Sequence, residues 1–235
     1  MVQTGKDLIL VQLQPANMAK PELYMYVVDR DFGFAPNPFH GYCTLATCKP
    51  GIRSTAQVND WVIGVGGGRL KSTGKCVFAM KVTKKTDYNN YWSNPEFRDK
   101  RPVRNGSKKM LIGDNIYHFD DDQKSWLQAH SHHSMADGTT NQANLERDTT
   151  SNKVLISRHF YYFGNTAPVI PSDLLDEIGY ENKVGHRKFP LNTAQKLIDW
   201  IEKEYGEQRN LMLGDPFNFD KSEAHYSVAN NKVTV

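Results

Sequence analysis

The stretch 34–68, which reads FAPNPFHGYCTLATCKPGIRSTAQVNDWVIGVGGG, constrains the fold more than any other part of the chain. Its Pro-Asn-Pro start predicts an extended path, because a residue that precedes proline is kept out of the helical region. A predicted strand at 42–48 is followed by a short helix that begins at Pro50. A second predicted strand, 61–65, runs into three glycines. So many specialised residues in one stretch predict a wall that faces a ligand.

The bulk composition bounds the class of protein. The chain has 235 residues, of which 39% are hydrophobic and 23% charged, as in ordinary globular proteins. A net charge of +3 permits nucleic acid as a partner without arguing for it. Three cysteines without a framework spacing indicate a reduced, cytoplasmic protein. The apolar run at 8–13 is interrupted by Gln12 and is too short for a signal peptide or membrane span, so we expect no membrane association.

Apolar patterning predicts a β-rich first part and helices later in the chain. The strongest predicted strands are 23–29, 42–48, 61–65, 76–82 and 154–163. Weaker strands are predicted at 113–118 and 125–134, and 137–153 is predicted to be a loop. Helices are predicted at 174–178 and 193–205, the second with one apolar side. The predicted fold class is α+β: a curled, mainly antiparallel sheet or a PUA-like β-barrel, with late peripheral helices.

The same patterns predict the domain organisation. Residues 1–21 read as an N-terminal extension that Pro21 closes. Residues 22–209 read as a single α+β domain, and residues 210–235 as an irregular C-terminal tail.

The first candidate chemical group is a cysteine pair. On a strand, Cys43 and Cys48 point to opposite faces, whereas a zinc site needs both sulfurs on one side. We therefore assign no metal. Packing of small residues is one interpretation. Cys43 as a nucleophile is another, and it needs a base from His40 or from the histidine cluster at 130–133.

That histidine cluster is the most unusual local feature. If 125–134 is a strand, His130 and His132 share one face, which suits a phosphate or a metal. Asp114 and His118 lie on the predicted neighbouring strand and are possible partners. A solvated turn explains the same residues equally well.

The glycine-rich segment at 64–68 lacks the lysine of a phosphate-binding P-loop, and Arg69 stands where the dinucleotide pattern needs its third glycine. A hairpin loop with unusual backbone angles is the better interpretation. Its exposed amides, together with Arg69 and Lys71, remain candidates for contact with a phosphate.

The segment 98–109 is a basic loop that follows Tyr88, Tyr91 and Trp92. Cations beside aromatic rings suit a sugar-phosphate chain with exposed bases, although a solvated loop is the alternative. The candidate phosphate contacts of this loop are Arg98, Arg101, Arg104, Lys108 and Lys109.

Several motifs in order resemble the family called nucleotide modification associated domain 2. They read FGFAPNPFHGYCTLATCKPGIR, AQVNDWVIGVGG, GDNIYHF, WLQAHSHHS and LISRHFYYFG, and they extend from about residue 23 to about residue 205. The resemblance implies an association with bacterial and phage systems that modify or handle unusual nucleotides, including defence systems. It implies no particular reaction.

A second resemblance is to barrels of the PUA, ASCH and EVE type. In those barrels a Gly-Asp step introduces an apolar strand, and here the step reads Asn59-Asp60-Trp61, so the glycine is replaced. The resemblance implies a pocket for a base or modified base.

Two functions follow as hypotheses. The first, slightly favoured, is recognition of a modified nucleotide or base, with Trp61 and Trp92 or Tyr91 stacking and the basic loop holding phosphate. The second is an enzyme that modifies or cleaves a nucleotide or nucleic-acid base. Its candidate catalytic residues are Cys43, Asp114, His130 and His132. The candidate ligand-binding residues of either function are Lys49, Arg53, Trp61, Arg69, Trp92 and His118.

The sequence indicates no specific cofactor and leaves the oligomeric state open. It does predict a location for the site. Three separated segments carry residues unsuited to a core, and burying such groups unpaired costs several kcal/mol: they hold Lys49 and Arg53, Asp114 and His118, and His130 and His132. The predicted pocket lies between the strand 42–48, the turn 49–53 and the segment 130–133. We therefore expect these segments to share one pocket for an anionic ligand, such as a phosphate or a nucleotide.

Overall fold

The structure is a computed structural model that describes residues 20–234. Within them the α-helices are α1 Pro50–Thr55, α2 Tyr88–Ser93, α3 Lys108–Leu111, α4 Gln142–Thr149, α5 Ser172–Glu177 and α6 Gln195–Tyr205. The first strands are β1 Glu22–Val28, β2 Cys43–Leu45, β3 Trp61–Gly66, β4 Cys76–Lys81, β5 Lys84–Asp87, β6 Tyr117–Asp120 and β7 Ser125–Gln128. The later strands are β8 Lys153–Ser157, β9 Phe160–Tyr162, β10 His186–Pro190, β11 Leu211–Met212, β12 His225–Ser227 and β13 Lys232–Thr234.

The largest sheet has six strands in the order β10-β1-β3-β4-β9-β11. The β1–β3 and β9–β11 pairs are parallel, and the other three pairs are antiparallel. β1, β3 and β4 are almost entirely buried, which explains why they read as continuous apolar runs. Helix α6 packs Leu197, Ile198 and Ile201 into the same core.

A second, smaller core lies around the three-stranded sheet β2-β8-β5. It is rich in aromatic rings, including Phe34, Tyr88, Tyr91 and Tyr117. The strand pairs β6–β7 and β12–β13 form two separate antiparallel ribbons. The described residues therefore make a mixed α and β structure in which antiparallel pairs predominate.

The prediction of one curled sheet is wrong. The run 154–163 is two strands, because the backbone turns at 158–159, where the Ser157 hydroxyl donates to the His159 carbonyl and accepts from the His159 amide. β8 pairs with β2 and β5, whereas β9 pairs with β4 and β11. The predicted strand 42–48 accordingly joins the small sheet. No closed barrel forms among residues 20–234, since the six-stranded sheet ends in β10 and β11.

Other local predictions are confirmed. β3 and β4 form the predicted antiparallel pair around the glycine segment. The helix predicted at 193–205 appears as α6, and the one predicted at 174–178 as α5. Residues 210–234, where the sequence indicated no regular structure, contain three short strands. The predicted extension 1–21 lies mostly outside the described residues, and the domain boundaries stay a prediction.

The structure also differs from the sequence predictions at the segments 125–134 and 137–153. The predicted strand 125–134 ends at Gln128, after which the chain turns, and the Ser134 hydroxyl both donates to the Ser131 carbonyl and accepts from the Ser131 amide. The predicted loop 137–153 contains α4, capped by the Asn141 side chain, which accepts from the Asn144 amide.

In the part of the chain that the structure describes, every helix is too short or too polar to cross a lipid bilayer.

Candidate active site

A cavity of about 620 Å³ lies at the C-terminal end of β1. Its floor comes from β1 and the segment after it, and its walls come from separate turns and from the C-terminal tail. The lining residues are Tyr26, Val27, Val28, Asp29, Arg30, Phe32, Phe34, Ala35, Cys48, Lys49, Gly68, His132, His133, Arg147, Asn182, Lys183, Val184, Gly185, Tyr226, Val228 and Asn231. Such a volume is typical of sites for small molecules.

An unusual backbone presents Cys48 to this cavity. Cys48 and Lys49 have φ values of 54° and 41°, in the left-handed region that residues with a Cβ rarely adopt. Pro50 then starts α1. Two consecutive left-handed residues turn the chain sharply between the buried segment that follows β2 and the helix. Backbone strain of this kind needs support from its surroundings and tends to occur at functional sites.

The support comes from a buried arginine and a buried carboxylate. Arg53 Nε donates to the Cys48 carbonyl at 2.8 Å, and its Nη atoms donate to three more carbonyls, of Asp148, Ser151 and Lys153, at 2.6–2.7 Å. The Cys48 amide donates to Asp148 Oδ1 at 2.8 Å. These bonds hold the Cys48 turn against the end of α4.

Cys48, His133 and Asp148 form a chain of polar contacts. The Cys48 sulfur lies 3.8 Å from His133 Nε2, and His133 Nδ1 lies 2.9 Å from Asp148 Oδ2. His133 and Asp148 are nearly fully buried, while Cys48 is partly exposed. A thiol, an imidazole and a carboxylate in this order have the arrangement of a nucleophile, a base and the group that orients the base.

Further hydrogen bonds hold the carboxylate and the imidazole. The Tyr117 hydroxyl donates to Asp148 Oδ2 at 3.0 Å, and Gln128 Nε2 donates to the Tyr117 oxygen at 3.1 Å. The His133 carbonyl accepts from Gln128 and Asn144 side chains at 3.2 and 2.8 Å. The β6–β7 ribbon and α4 thus fix both groups from behind the cavity.

The pKa values of His133 and Asp148 depend on each other. Burial by itself lowers the pKa of His133, but Cys48 and Asp148 beside it raise that pKa to about 10. Burial by itself raises the pKa of Asp148, but His133, Arg53 and the Tyr117 hydroxyl bring it below its usual value. The imidazole is therefore held as an imidazolium against the Asp148 carboxylate at neutral pH, with one N–H directed at each partner.

The same three residues are close enough to be considered as metal ligands. Their arrangement argues against a shared ion, because Cys48 and Asp148 contact opposite nitrogens of the His133 ring. Three protein ligands suffice for a catalytic zinc ion, but His133 can bind one ion through only one ring nitrogen, and each of its nitrogens already contacts Cys48 or Asp148. The donor set fits a catalytic triad better.

The remaining cavity wall combines cations with aromatic rings. Lys49 Nζ lies over the Tyr26 ring at 4.3 Å from its centroid, and the Arg30 guanidinium lies over the Tyr226 ring at 5.3 Å. The Phe34 ring lies 4.7 Å from the His133 ring. Such a wall suits a ligand with a flat ring and a negative charge.

The cysteine predicted as nucleophile does not reach this wall. Cys43 is fully buried in β2, and burial raises the pKa of its thiol far above the usual value. Cys48 is the thiol that faces the cavity, because the strand ends at Leu45 and the following turn redirects the chain. The geometry therefore moves the nucleophile hypothesis from Cys43 to Cys48.

The predicted histidines have separate environments. His132 lines the cavity but is buried, its Nδ1 donates to the Ala224 carbonyl at 2.6 Å, and burial with the neighbouring His133 lowers its pKa to about 3. His130 is exposed and stacks on His225 at 5.6 Å. The two do not share a face, since both follow the end of β7.

Asp114 lies in another buried network. Its carboxylate accepts from the Thr44 hydroxyl at 2.6 Å and the Tyr91 hydroxyl at 2.9 Å, and burial raises its pKa to about 6. Lys100 is also buried, and its ammonium group donates to the Asn37 side chain. Asp114 does not line the cavity, so its contacts connect elements of the second core.

Some of the predicted ligand-binding residues line the cavity and others do not. Lys49 lines the cavity. Arg53 is fully buried, and its guanidinium donates to backbone carbonyls instead. Trp61 is buried in β3 with its ring 5.2 Å from His159, and Arg69 is exposed in the glycine segment beside Gly68.

Trp92 and His118 stack at 4.3 Å outside the cavity, with the Arg101 guanidinium 3.9 Å from the Trp92 ring centroid. Arg101 also donates to the Trp92 carbonyl, and Arg104 to the Leu111 and Glu223 carbonyls. Two arginines of the basic loop, Arg101 and Arg104, are therefore already hydrogen-bonded to backbone carbonyls of the protein. The loop's exposed members are Arg98, Lys108 and Lys109, and a nucleic-acid contact by these residues stays a prediction.

Sequence patterns do not bring Cys48, His133 and Asp148 together. The cysteine spacing predicts metal binding or packing for Cys48, the polar stretch 137–153 predicts a loop at Asp148, and the strand pattern favours His132 over His133. The available signals were Pro50 directly after the Cys48-Lys49 pair and the capping Asn141 at the start of α4. Neither signal indicates that the three segments meet.

Comparisons with known proteins add one assignment. No curated protein and no solved structure matches this chain significantly. A family model matches residues 20–223, a range that contains all three triad residues and most of the cavity wall. The chain therefore belongs to the family described as nucleotide modification associated domain 2.

Proposed function

We propose that the protein is an enzyme of nucleotide modification in which Cys48 is the nucleophile, His133 the proton carrier and Asp148 the group that orients His133. The observation that carries the proposal is the Cys48–His133–Asp148 chain at the cavity, with separations of 3.8 and 2.9 Å. A module that only binds has no need of a buried carboxylate placed behind an imidazole that contacts a thiol. The family supports a role associated with nucleotide modification.

The chemistry follows from the order of the groups. His133 holds the proton that leaves Cys48, and the sulfur forms a bond to an electrophilic carbon of the substrate. As the bond from that carbon to its leaving group breaks, His133 donates the proton to the leaving group. Water or an acceptor then attacks the carbon and gives its proton to His133, the carbon–sulfur bond breaks, and the proton shared between Cys48 and His133 is restored. The 3.8 Å separation of sulfur and nitrogen is within the range of free enzymes, whose contacts tighten on binding.

Recognition without chemistry is the second candidate function, and the cavity wall favours it. The rings of Tyr26, Phe34 and Tyr226 and the cations Lys49 and Arg30 are what capture of a nucleotide or modified base requires. A role in phage defence and a PUA-like mode of capture remain part of this second hypothesis.

Thiol labelling tests the proposal. Iodoacetamide should alkylate Cys48 in the folded protein and leave Cys43 and Cys76 unmodified until denaturant is added, because both are fully buried. Peptide mass spectrometry reads all three sites in one sample. His133→Ala should slow the labelling of Cys48 on the order of a hundredfold at neutral pH, the contribution typical of a positioned base.

A matched histidine provides the control. His159 pairs with Glu202 and does not line the cavity, so His159→Ala should leave the labelling rate of Cys48 unchanged. Equal labelling of Cys48 in wild type and His133→Ala would reject the triad and leave recognition as the function.

A further inference from the structure

Lys49 forms no salt bridge among residues 20–234, although Cys48 and Asp29 lie close enough for a negative charge on them to raise its pKa. It is mostly buried, its carboxylate neighbours lie beyond salt-bridge distance, and its described contact is with the face of the Tyr26 ring. Burial lowers the pKa of its ammonium group. Buried charges in proteins are normally paired. A lysine that lines a cavity without a salt bridge is available to bind the negative charge of a ligand.

A second cation lies on the same wall. Arg147 lines the cavity, directly precedes Asp148 in α4, and is close enough to Lys49 to contribute to the lowered pKa of the lysine. It makes no salt bridge to a described residue. Lys49 follows Cys48 in sequence, so this pair of cations lies next to the thiol.

Hydrogen bonds connect separate segments that line the cavity. The Arg30 guanidinium donates to the side chain and the carbonyl of Asn231 at 2.8 and 2.9 Å, which ties the end of β1 to the C-terminal tail. The Asn182 amide donates to the Gly66 carbonyl at 3.1 Å and ties the loop 182–185 to β3. A polynucleotide that placed an internal phosphate beside Lys49 would need an open path for the chain on both sides.

We propose that the substrate is a free nucleotide whose phosphate is bound by Lys49 and Arg147, rather than a base within a polynucleotide. The inference rests on the proposed function for its chemistry but not for its binding step. A cavity of about 620 Å³ is large enough for one nucleotide. The reaction then precedes incorporation of the nucleotide into a polymer.

Calorimetry on the Cys48→Ser protein tests binding without turnover. The probes are the common ribo- and deoxyribonucleoside 5′-monophosphates, their nucleosides, inorganic phosphate, and single-stranded and duplex oligonucleotides without terminal phosphates. At least one monophosphate should bind, and its nucleoside should bind at least about tenfold more weakly. Lys49→Met should weaken the monophosphate by roughly tenfold to a hundredfold, as expected for one charged hydrogen bond.

Lys203→Met is the matched control, because Lys203 is exposed on α6 and does not line the cavity. It should bind the monophosphate as the Cys48→Ser protein does. Oligonucleotides that bind more tightly than every monophosphate would overturn the inference. Failure of phosphate and all monophosphates to bind would overturn it too, as would an unchanged affinity in Lys49→Met. A rejected triad in the labelling experiment would leave the binding result standing, so the two proposals fail separately.

Discussion

The Asp148→Asn substitution tests the charge that the structure places behind His133. The Asp148 carboxylate accepts from the Cys48 amide on one oxygen and from Tyr117 and His133 on the other, at 2.8, 3.0 and 2.9 Å. An asparagine has one accepting oxygen and one NH₂ group. In either orientation of the amide, at least one of the three donors faces an NH₂ group instead of an acceptor.

The expected loss of unfolding free energy in Asp148→Asn follows from the burial of the ion pair. Removing one partner of a buried ion pair typically costs about 3 to 5 kcal/mol. We expect about 3 kcal/mol here, because His133 can release its proton once the carboxylate is gone. For a chain of this size that loss lowers the thermal midpoint by about 6 to 12 °C.

The pH dependence of this stability difference is a more specific test of the ion pair than its size. The pKa of His133 is raised from 6.5 to about 10, so its contribution to stability is complete below pH 6.5 and is lost as the pH rises toward 10. The pKa of Asp148 is lowered from 3.8, so its contribution is present above pH 3.8 and is lost as the pH falls through the folded-state value. The difference between wild type and variant should be largest between pH 3.8 and 6.5 and should narrow toward pH 10.

Urea unfolding followed by tryptophan fluorescence, at several pH values across this range, measures the difference. Asp121→Asn is the control, because Asp121 is exposed in the turn between β6 and β7 and should show no such pH-dependent loss. A variant as stable as wild type near pH 6, or a difference that grows toward pH 10, would refute the assignment of a buried ion pair.

Two further predictions concern the groups that hold the site. Arg53→Ala should lower the free energy of unfolding by about 3 kcal/mol or more, because four buried or part-buried carbonyls lose a charged donor, whereas Arg98→Ala on the exposed loop should change it by less than about 0.5 kcal/mol. Equal urea midpoints for the two variants would contradict the anchoring role. Tyr117→Phe removes one hydrogen bond to Asp148 and should cost about 1.5 to 3 kcal/mol. It should also slow iodoacetamide labelling of Cys48, and an unchanged labelling rate would show that Tyr117 does not position the triad.

Local patterns predicted the elements that are either apolar throughout or apolar along one side. β1, β3 and β4 read as apolar runs because they are buried on both faces, and α6 reads as a helix because Leu197, Ile198 and Ile201 fall on one side. The run 154–163 is equally apolar but is two strands. Its break depends on hydrogen bonds between Ser157 and His159, which composition does not reveal.

The candidate site could be predicted only in outline. The sequence indicated that the segments near 48 and 130–133 share a pocket for an anion, because their polar residues do not suit a core. It could not select Cys48 over Cys43, since that choice depends on two left-handed residues after the end of β2. It could not find Asp148 either, because the carboxylate meets His133 only through the packing of α4 against the turn after β7.

One wall of the cavity comes from the C-terminal tail, outside the part of the chain that carries the proposed chemistry. Tyr226, Val228 and Asn231 line the cavity, yet they lie beyond residue 223, where the match to the family ends. The triad lies wholly inside the matched range. Replacement of the tail would alter this wall and leave thiol, imidazole and carboxylate in place, so under the proposed function we expect the tail to influence which nucleotides fit without changing the reacting groups.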